Sequence, residues 1–204
     1  MLDFRRMNVP KPFIDKVIAP SCQGDERILN AFRAVPREFF MDEAMRLKAY
    51  VDSAQPIGYG QTISQPSLVA MMLHELETAP THKVLEIGAG SGYVTALLGK
   101  LVDEVYALEL LPELCTKARD KIREMMIRNV RLMTANGAVG YAEKAPYDRI
   151  IVSAGAKSFP PALLEQLADD GIIIIPIDGV LTKVLKSGER KPLAKVAFVD
   201  FINS

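Results

Sequence analysis

Lys83-Val84-Leu85-Glu86-Ile87-Gly88-Ala89-Gly90-Ser91-Gly92 is the stretch that decides the fold. A short apolar run with an acid near its end reads as a strand, and three glycines at alternate positions read as an abrupt turn into a helix. Gly88, Gly90 and Gly92 lack the Cβ atoms that would keep a ligand off this turn, and they tolerate backbone angles that other residues avoid. Something flat and polar is expected against that bare backbone, and a nucleoside suits it. The dinucleotide fingerprint G-x-G-x-x-G needs its last glycine one place later, where Tyr93 stands. Glu86 would also repel a pyrophosphate. A purely structural strand-to-helix turn is the bland alternative.

The next acid strengthens the nucleoside reading. A helix over Tyr93 to Leu101 leads to Glu104-Val105-Tyr106-Ala107-Leu108-Glu109, a second strand ending in a carboxylate. It lies about 20 residues beyond the glycines, the separation that ribose recognition uses. Glu109 can accept from both ribose hydroxyls, each bond to a charged acceptor being worth roughly 1.5–3 kcal/mol. A cationic nucleoside, S-adenosyl-L-methionine with its amino group and sulfonium, welcomes Glu86 where a pyrophosphate would not.

From residue 82 onward the pattern alternates: strand 82–87, helix 92–101, strand 104–109, helix 112–127, strand 129–134, strand 148–153, helix 160–167, strand 171–176. Such alternation predicts an α/β fold, a doubly wound and mostly parallel sheet of the Rossmann-like type with helices on both faces. Ile150-Ile151-Val152 and Ile172-Ile173-Ile174-Ile175 are continuously apolar, as strands covered on both sides must be. Val180 to Lys186 and Leu193 to Phe201, around Ser187-Gly188-Glu189, predict an antiparallel hairpin at the sheet edge. Residues 1–80 predict a helical cap and a loop, residues 81–204 the sheet core, and the whole one domain. Within the cap a helix is expected over Glu26 to Val35, a new segment from Pro36, a loop or short hairpin over Pro56 to Pro66, and a helix from Pro66. Ligands sit beyond the carboxyl ends of strands in such sheets, so Glu86, Glu109, Ala135-Asn136-Gly137 and Ser153-Ala154-Gly155-Ala156 are expected to line one crevice. Asn136 can donate to and accept from an adenine edge, although an Asn-Gly turn explains it equally.

Composition narrows the function. Lys and Arg number 25, as do Asp and Glu, so no electrostatic footprint for nucleic acid is evident. Arg119, Lys121, Arg123, Arg128 and Arg131 read as a solvated face. Cys22 and Cys115 lack CxxC spacing and no secretory leader precedes them, which favours reduced thiols in a cytoplasmic protein. His74 and His82 have no second ligand nearby, so no metal is expected. No apolar run approaches a bilayer span, and no membrane partner is expected. Met125, Met126 and Met133 read as core filling rather than a sulfur-rich pocket.

These residues resemble the protein-L-isoaspartate (D-aspartate) O-methyltransferase family over roughly Ile28 to Phe201. The likeness is carried by Ala34-Val35-Pro36-Arg37-Glu38-Phe39-Phe40, by Pro56-Ile57-Gly58-Tyr59-Gly60-Gln61-Thr62-Ile63-Ser64-Gln65-Pro66, by Val84 to Gly92, by Ala145-Pro146-Tyr147-Asp148-Arg149-Ile150, and by Pro161 to Leu167. The Gln61 to Pro66 loop is the specific part, because the glycine turn is shared by many methyltransferases. The resemblance implies a monomer that methylates isoaspartyl carboxylates in damaged proteins, consuming S-adenosyl-L-methionine and yielding S-adenosyl-L-homocysteine. It implies Ser64 as the active-site hydroxyl, with Ile57, Ala154 and Gly155 beside the peptide. Thr62, Ile63, Glu86, Gly88, Gly90, Gly92, Glu109, Leu110, Asn136 and Gly137 would then hold the cofactor.

This sequence departs from the family at three places. Ala135-Asn136-Gly137 stands where Gly-Asp-Gly is usual, Pro176-Ile177-Asp178-Gly179 where Pro-Val-Gly and a following Gln are usual, and Val199-Asp200-Phe201 where Val-Pro-Leu is usual. Two rival functions stay open at this level: a methyltransferase of the same scaffold acting on RNA or a metabolite, and a binding module without turnover. An amino-methylating DNA enzyme would carry an Asn-Pro-Pro-Tyr type loop where Ser153 to Ala156 stands.

Overall fold

The computed structural model describes Phe4 and residues 7–199; Asp200 and Phe201, part of the expected terminal strand, lie outside the described residues. Seven strands form the main sheet. In chain order a small hairpin comes first, β1 (Gln55–Gly58) and β2 (Gln61–Ile63), followed by β3 (Lys83–Ile87), β4 (Glu104–Glu109), β5 (Val130–Thr134), β6 (Tyr147–Val152), β7 (Leu167–Ile177), β8 (Val180–Leu185) and β9 (Arg190–Lys195). The main sheet runs in the order β5-β4-β3-β6-β7-β8-β9. Pairings from β5 through to β7 are parallel, whereas β7–β8 and β8–β9 are antiparallel. The parallel core and an antiparallel hairpin are both present, but the second hairpin strand, expected over Leu193 to Phe201, is Arg190–Lys195, and residues 196–199 leave the sheet.

Side chains alternate across this sheet and build two large cores, beside a small third cluster of Ala89, Ala107, Cys115, Ala118 and Leu132. Val84, Val105, Ile151, Ile172 and Ile174 face one side, while Leu85, Ile87, Ile150, Val152, Ile173 and Ile175 face the other. That is why four consecutive isoleucines are all buried. The first side carries most of the helices. They are a helical run over 11–21 (α1), Glu26–Ala34 (α2), Pro66–Glu75 (α3), Tyr93–Leu101 (α4) and Pro112–Glu124 (α5). The second side is covered by one short helix, α6 (Pro161–Glu165), and by Tyr141, Phe159 and their neighbours.

Local chemistry sets the element ends. Asp25 caps α2, accepting from Arg27 N at 2.8 Å and Ile28 N at 3.3 Å. Val35 then leaves the helix at φ −120° and ψ 88°, outside the α region that a following proline disfavours. The cap is less regular than the sequence predicts. Ile14–Ile18 widens into a π turn ahead of Pro20, which has no N–H and crowds the preceding turn. Arg37–Phe40 and Glu43–Lys48 are 3-10 turns, and the segment from Gln55 to Ile63 is the hairpin. Helix α5 stops at Glu124 rather than at 127, because Met126 takes φ 55° and Ile127 N reaches back to Ile122 O at 3.2 Å. Met126 is therefore exposed, correcting its assignment to the core, whereas Met125 is buried.

Two further expectations change. The helix expected over 160–167 spans only Pro161–Glu165, and β7 begins at Leu167 instead of 171. Leu167 pairs with Tyr147 before the register shifts to Arg149–Ile172; a Cβ on Gly171 would stand 2.3 Å from Leu167 Cγ. The basic cluster is not wholly a solvated face. Lys121 is half-buried with its ammonium 5.8 Å from the centre of the Phe40 ring, and burial lowers its pKa to about 8.

Gly92 shows how closely the helices pack. It precedes α4 at φ 83°, and a Cβ there would lie 2.9 Å from the Ala118 Cβ of α5. Gly92→Ala is therefore expected to cost about 2–5 kcal/mol, combining left-handed strain with overpacking. Urea denaturation measures it. A loss below about 0.5 kcal/mol, the range of ordinary surface substitutions, would show that the contact does not constrain the fold.

Candidate active site

Strand order reverses between β3 and β6, since the chain proceeds outward to β4 and β5 and then returns to the other side of β3. A crevice opens at such a switch point, beyond the carboxyl ends of the strands. Here it is a cavity of about 490 Å3, within the range of small-molecule sites. Gly88, Gly90, Glu109, Leu110, Asn136 and Gly137 line its floor, and Thr62, Ser64, Ser153 and Ala154 its wall. Most of the residues nominated from the sequence thus converge.

The glycine turn is held by β4. Leu108 O accepts from Gly88 N at 2.8 Å and from Ala89 N at 3.1 Å. Glu109 completes the clamp: one carboxylate oxygen accepts from Gly90 N at 2.7 Å, the other from Leu111 N at 2.9 Å. Each oxygen retains acceptor capacity for a ligand hydroxyl. Gly88 and Gly90, at φ 81° and 54°, keep backbone where a side chain would intrude. Asn136 does what the turn reading predicts, its Oδ1 accepting from Ala138 N at 2.9 Å, and it also lines the cavity. Gly137 answers to packing, because a Cβ there would lie 2.2 Å from Ile87 Cγ2.

Several nominated residues lie elsewhere. Gly92 is buried against α5, as described above. Ile57 does not line the cavity; it packs behind Gly90, where a Cβ would be 3.5 Å from Ile57 Cδ1. Gly155 is covered by the carboxy-terminal segment, donating to Val199 O at 2.8 Å, while Ala156 bridges to Ile177. Glu86 and Ile63 line a separate chamber of about 30 Å3 that shares Thr62, Ser64, Gly88, Gly90 and Ser153 with the main cavity. The single crevice expected from the sequence is therefore two compartments with a common wall. Side chains alternate along β3, so Glu86 turns with Val84 toward α4 and cannot face the same space as Ile87.

The environment of Glu86 is unlike that of Glu109. It is fully buried, with Oε2 accepting from Thr95 Oγ1 at 2.5 Å and Oε1 without a partner among the described residues. Burial pushes its carboxyl up to about 7, against the Thr95 hydrogen bond that pulls it down; nearby Glu109 adds to the rise. A buried carboxyl with a bare oxygen behind a glycine cradle, and a second carboxylate at ribose height, fit a nucleoside that carries positive charge.

Sequence reasoning passed over the group that holds the Ser64 loop. Arg37 is 0% exposed and donates to Ala49 O at 2.6 Å, Ser53 O at 3.1 Å, Ile63 O at 3.3 Å and Ser64 O at 3.0 Å. Burial lowers its pKa. The signal was an arginine inside the apolar run Val35 to Phe40, too short to show which carbonyls it meets. Also missed were Gln61, Gln65 and the segment Ala194 to Val199 across the cavity; Lys195 there is, with Glu109, a charged member of the lining. Among the described residues no group of three or more His, Cys, Asp or Glu is placed to hold a metal, and no helix is long and apolar enough to cross a membrane.

Comparison with known proteins agrees with this geometry. The family described as protein-L-isoaspartate(D-aspartate) O-methyltransferase matches residues 9–203. A protein-L-isoaspartate O-methyltransferase 1 of Marinobacter nauticus is 43% identical over 183 residues, covering 87% of this chain and 84% of its own length. A protein-L-isoaspartate O-methyltransferase of Serratia proteamaculans is 48% identical over 167 residues, covering 82% of this chain and 80% of its own. Among solved structures, a protein-L-isoaspartate O-methyltransferase of Plasmodium falciparum in complex with S-adenosyl-L-homocysteine superposes with a TM-score of 0.82 at 26% identity. That match covers 96% of this chain and 99% of the other. With a matching family over nearly its whole length, relatives above 40% identity and the switch-point cavity in place, the chain belongs to the protein-L-isoaspartate(D-aspartate) O-methyltransferase family.

Proposed function

We infer that this protein transfers the methyl group of S-adenosyl-L-methionine to the free carboxylate of L-isoaspartyl and D-aspartyl residues in damaged proteins, the first step of their repair. The observation that carries this is one cavity that presents the Gly88–Gly90 cradle and Glu109 on its floor and Ser64, on a loop fixed by a buried arginine, on its wall. The cofactor supplies an electrophilic methyl group on a sulfonium. Glu109 would receive the ribose hydroxyls, Gly88, Gly90, Leu110, Asn136 and Gly137 would pack against the nucleoside, and Thr62, with Ile63 behind it in the small chamber, would hold it from the facing loop.

The acceptor needs no strong base. Its carboxylate is already ionised at neutral pH, so the protein's task is alignment. Holding two reactants in a near-attack pose supplies on the order of 7–11 kcal/mol. Ser64 donates to one carboxylate oxygen and fixes the angle of the other. Arg37 acts through the backbone, holding the Ile63 and Ser64 carbonyls so that the hydroxyl keeps its direction. Lys195 opposite adds positive charge for an incoming carboxylate, and Ala154 leaves room for the peptide. Action in the cytoplasm without a nucleic-acid partner belongs to the same inference, supported by two buried free cysteines and by balanced charge, and the monomer is part of the proposal.

Labelled S-adenosyl-L-methionine and paired peptides, one with isoaspartate and one with normal aspartate, test the function. Label is expected on the isoaspartyl peptide alone, and equal or absent labelling of the pair defeats the assignment. Ser64→Ala is expected to lower turnover about ten- to hundredfold, the value of one hydrogen bond to a charged group, with cofactor affinity nearly unchanged. A large loss of cofactor affinity would move Ser64 out of the acceptor site. Arg37→Lys keeps the charge but loses the fork geometry. In a folded variant it should reduce turnover at least about tenfold, the equivalent of one ordinary hydrogen bond, while S-adenosyl-L-homocysteine affinity by calorimetry stays close to wild type. Full turnover in that variant would show that Ser64 needs no such support.

A further inference from the structure

In the segment Ser153-Ala154-Gly155-Ala156 at the end of β6, Ser153 alone has a polar side chain. Its backbone is fixed beside the glycine turn: Ser153 N donates to Ile87 O at 2.8 Å, and a Cβ on Gly88 would lie 3.5 Å from Ser153 C. Glu86 pairs with Ile151 and Ile87 with Val152, so Ser153 follows on the side that Glu86 and Ile151 share, toward α4. Ser64 meets it there, since both serines line the main cavity and the small chamber alike. One belongs to a strand end and the other to the loop that Arg37 holds, so they approach the same junction from different walls.

The Ser153 hydroxyl has no structural employment. Its Oγ is buried and lacks a hydrogen-bond partner among the described residues. Glu86 Oε1 lies in the same chamber and is equally bare, so the two are not bonded to each other. A buried hydroxyl left unpaired is costly, and an alanine in its place would carry no such cost. No fixed cation stands near the glycine cradle. The chamber lining contains no Lys, Arg or His, and Lys195 of the main cavity belongs to β9, four strands along the sheet from β3. An anionic acceptor entering beside Gly88 therefore meets hydroxyl donors and no fixed positive charge.

We propose that Ser153 is a second catalytic hydroxyl, donating to the acceptor carboxylate together with Ser64 and fixing its plane for attack on the methyl group. This rests on the acceptor assignment made above. Ser64 sets one oxygen and the angle of the other, but a single bond lets the carboxylate plane turn about it; a second donor from another wall stops that rotation. The two carboxylate oxygens offer about four acceptor sites, enough for two hydroxyls and a lone pair aimed at the methyl carbon. In the transfer that lone pair forms the new C–O bond, the C–S bond breaks with its electron pair going to sulfur, and no proton moves. The anion and the sulfonium become a neutral ester and a neutral thioether. Neutral donors suit such a step, because a fixed cation would stabilise in the ground state the charge that the reaction consumes.

Steady-state methylation of an isoaspartyl peptide at saturating cofactor reads the effect. In Ser153→Ala, kcat/KM for the peptide should fall about ten- to hundredfold, the value of one hydrogen bond to a charged group, while S-adenosyl-L-homocysteine affinity by calorimetry stays close to wild type. Because both serines hold one group, the variant carrying Ser64→Ala and Ser153→Ala together should lose less than the product of the two single losses. Wild-type kcat/KM in Ser153→Ala overturns the proposal and leaves the methyltransferase reading intact, and a full product of losses in the double variant does the same. Cofactor-product affinity that falls as far as turnover assigns the hydroxyl to the cofactor and also overturns it. Absence of labelling by the wild-type protein defeats both.

A second readout needs no substrate. A hydroxyl kept for the acceptor has no bond to lose in the unliganded protein, so the melting temperature of Ser153→Ala should equal or exceed that of wild type. Slower turnover with equal or greater stability is the pattern of a group retained for function. A clear fall in melting temperature, or failure of Ser153→Ala to fold, shows that a buried water or backbone group already holds the hydroxyl, and overturns the proposal.

Discussion

One carboxylate fixes where the turn between β3 and α4 can go. Glu109 holds Gly90 N and Leu111 N on its two oxygens, so the glycine loop and the end of β4 cannot move independently. Leu108 O carries the preceding two amides of the same turn. A chain reversing this sharply leaves several backbone N–H groups without intrahelical partners, and each would be costly if buried unpaired. The clamp satisfies them while leaving the outer face of the loop bare. The same residue that makes the turn stable thus also presents acceptor capacity to the cavity, and fold and binding surface share one group.

A second buried charge organises the opposite wall. Arg37 lies wholly inside the protein and spends its guanidinium on backbone carbonyls from the 3-10 region, the stretch before β1 and the end of β2. Such a cation is a poor way to gain stability, since its desolvation offsets much of what its hydrogen bonds contribute. Its geometric effect is specific: three segments distant in sequence are brought to one point, and the last of them carries Ser64. The loop opposite the glycine cradle therefore has a fixed floor beneath it, although it has little regular structure of its own.

The two acids of the site show how position rather than residue type sets chemistry. Glu109 is buried with backbone donors on both oxygens, while Glu86, on the neighbouring strand and facing α4, has one hydroxyl donor and one oxygen without a partner among the described residues. Burial opposes ionisation of Glu86 and pushes its carboxyl up to about 7. The two acids face different spaces, Glu109 the main cavity and Glu86 the small chamber beside it.

The sequence by itself determined the order of elements, because periodicity is local: glycines at 88, 90 and 92, continuous isoleucines in β7 and proline-marked helix starts each declare their state without distant partners. It also placed Glu109, Gly88, Gly90, Asn136 and Gly137 on one surface, since strand ends in a parallel sheet point the same way, whereas Ser64 was nominated only by the family resemblance. Tertiary structure alone decided which of these share a compartment. Glu86 was assigned to the crevice by its place at a strand end, yet the alternation of β3 turns it toward Thr95 and a chamber of its own. Gly92 looked like part of the cradle and is instead the contact point of two helices; Gly155 lies under the carboxy-terminal segment. Arg37 gave no local sign of its role because its partners lie 12 to 27 residues away, and only a folded chain brings four carbonyls within reach of one guanidinium.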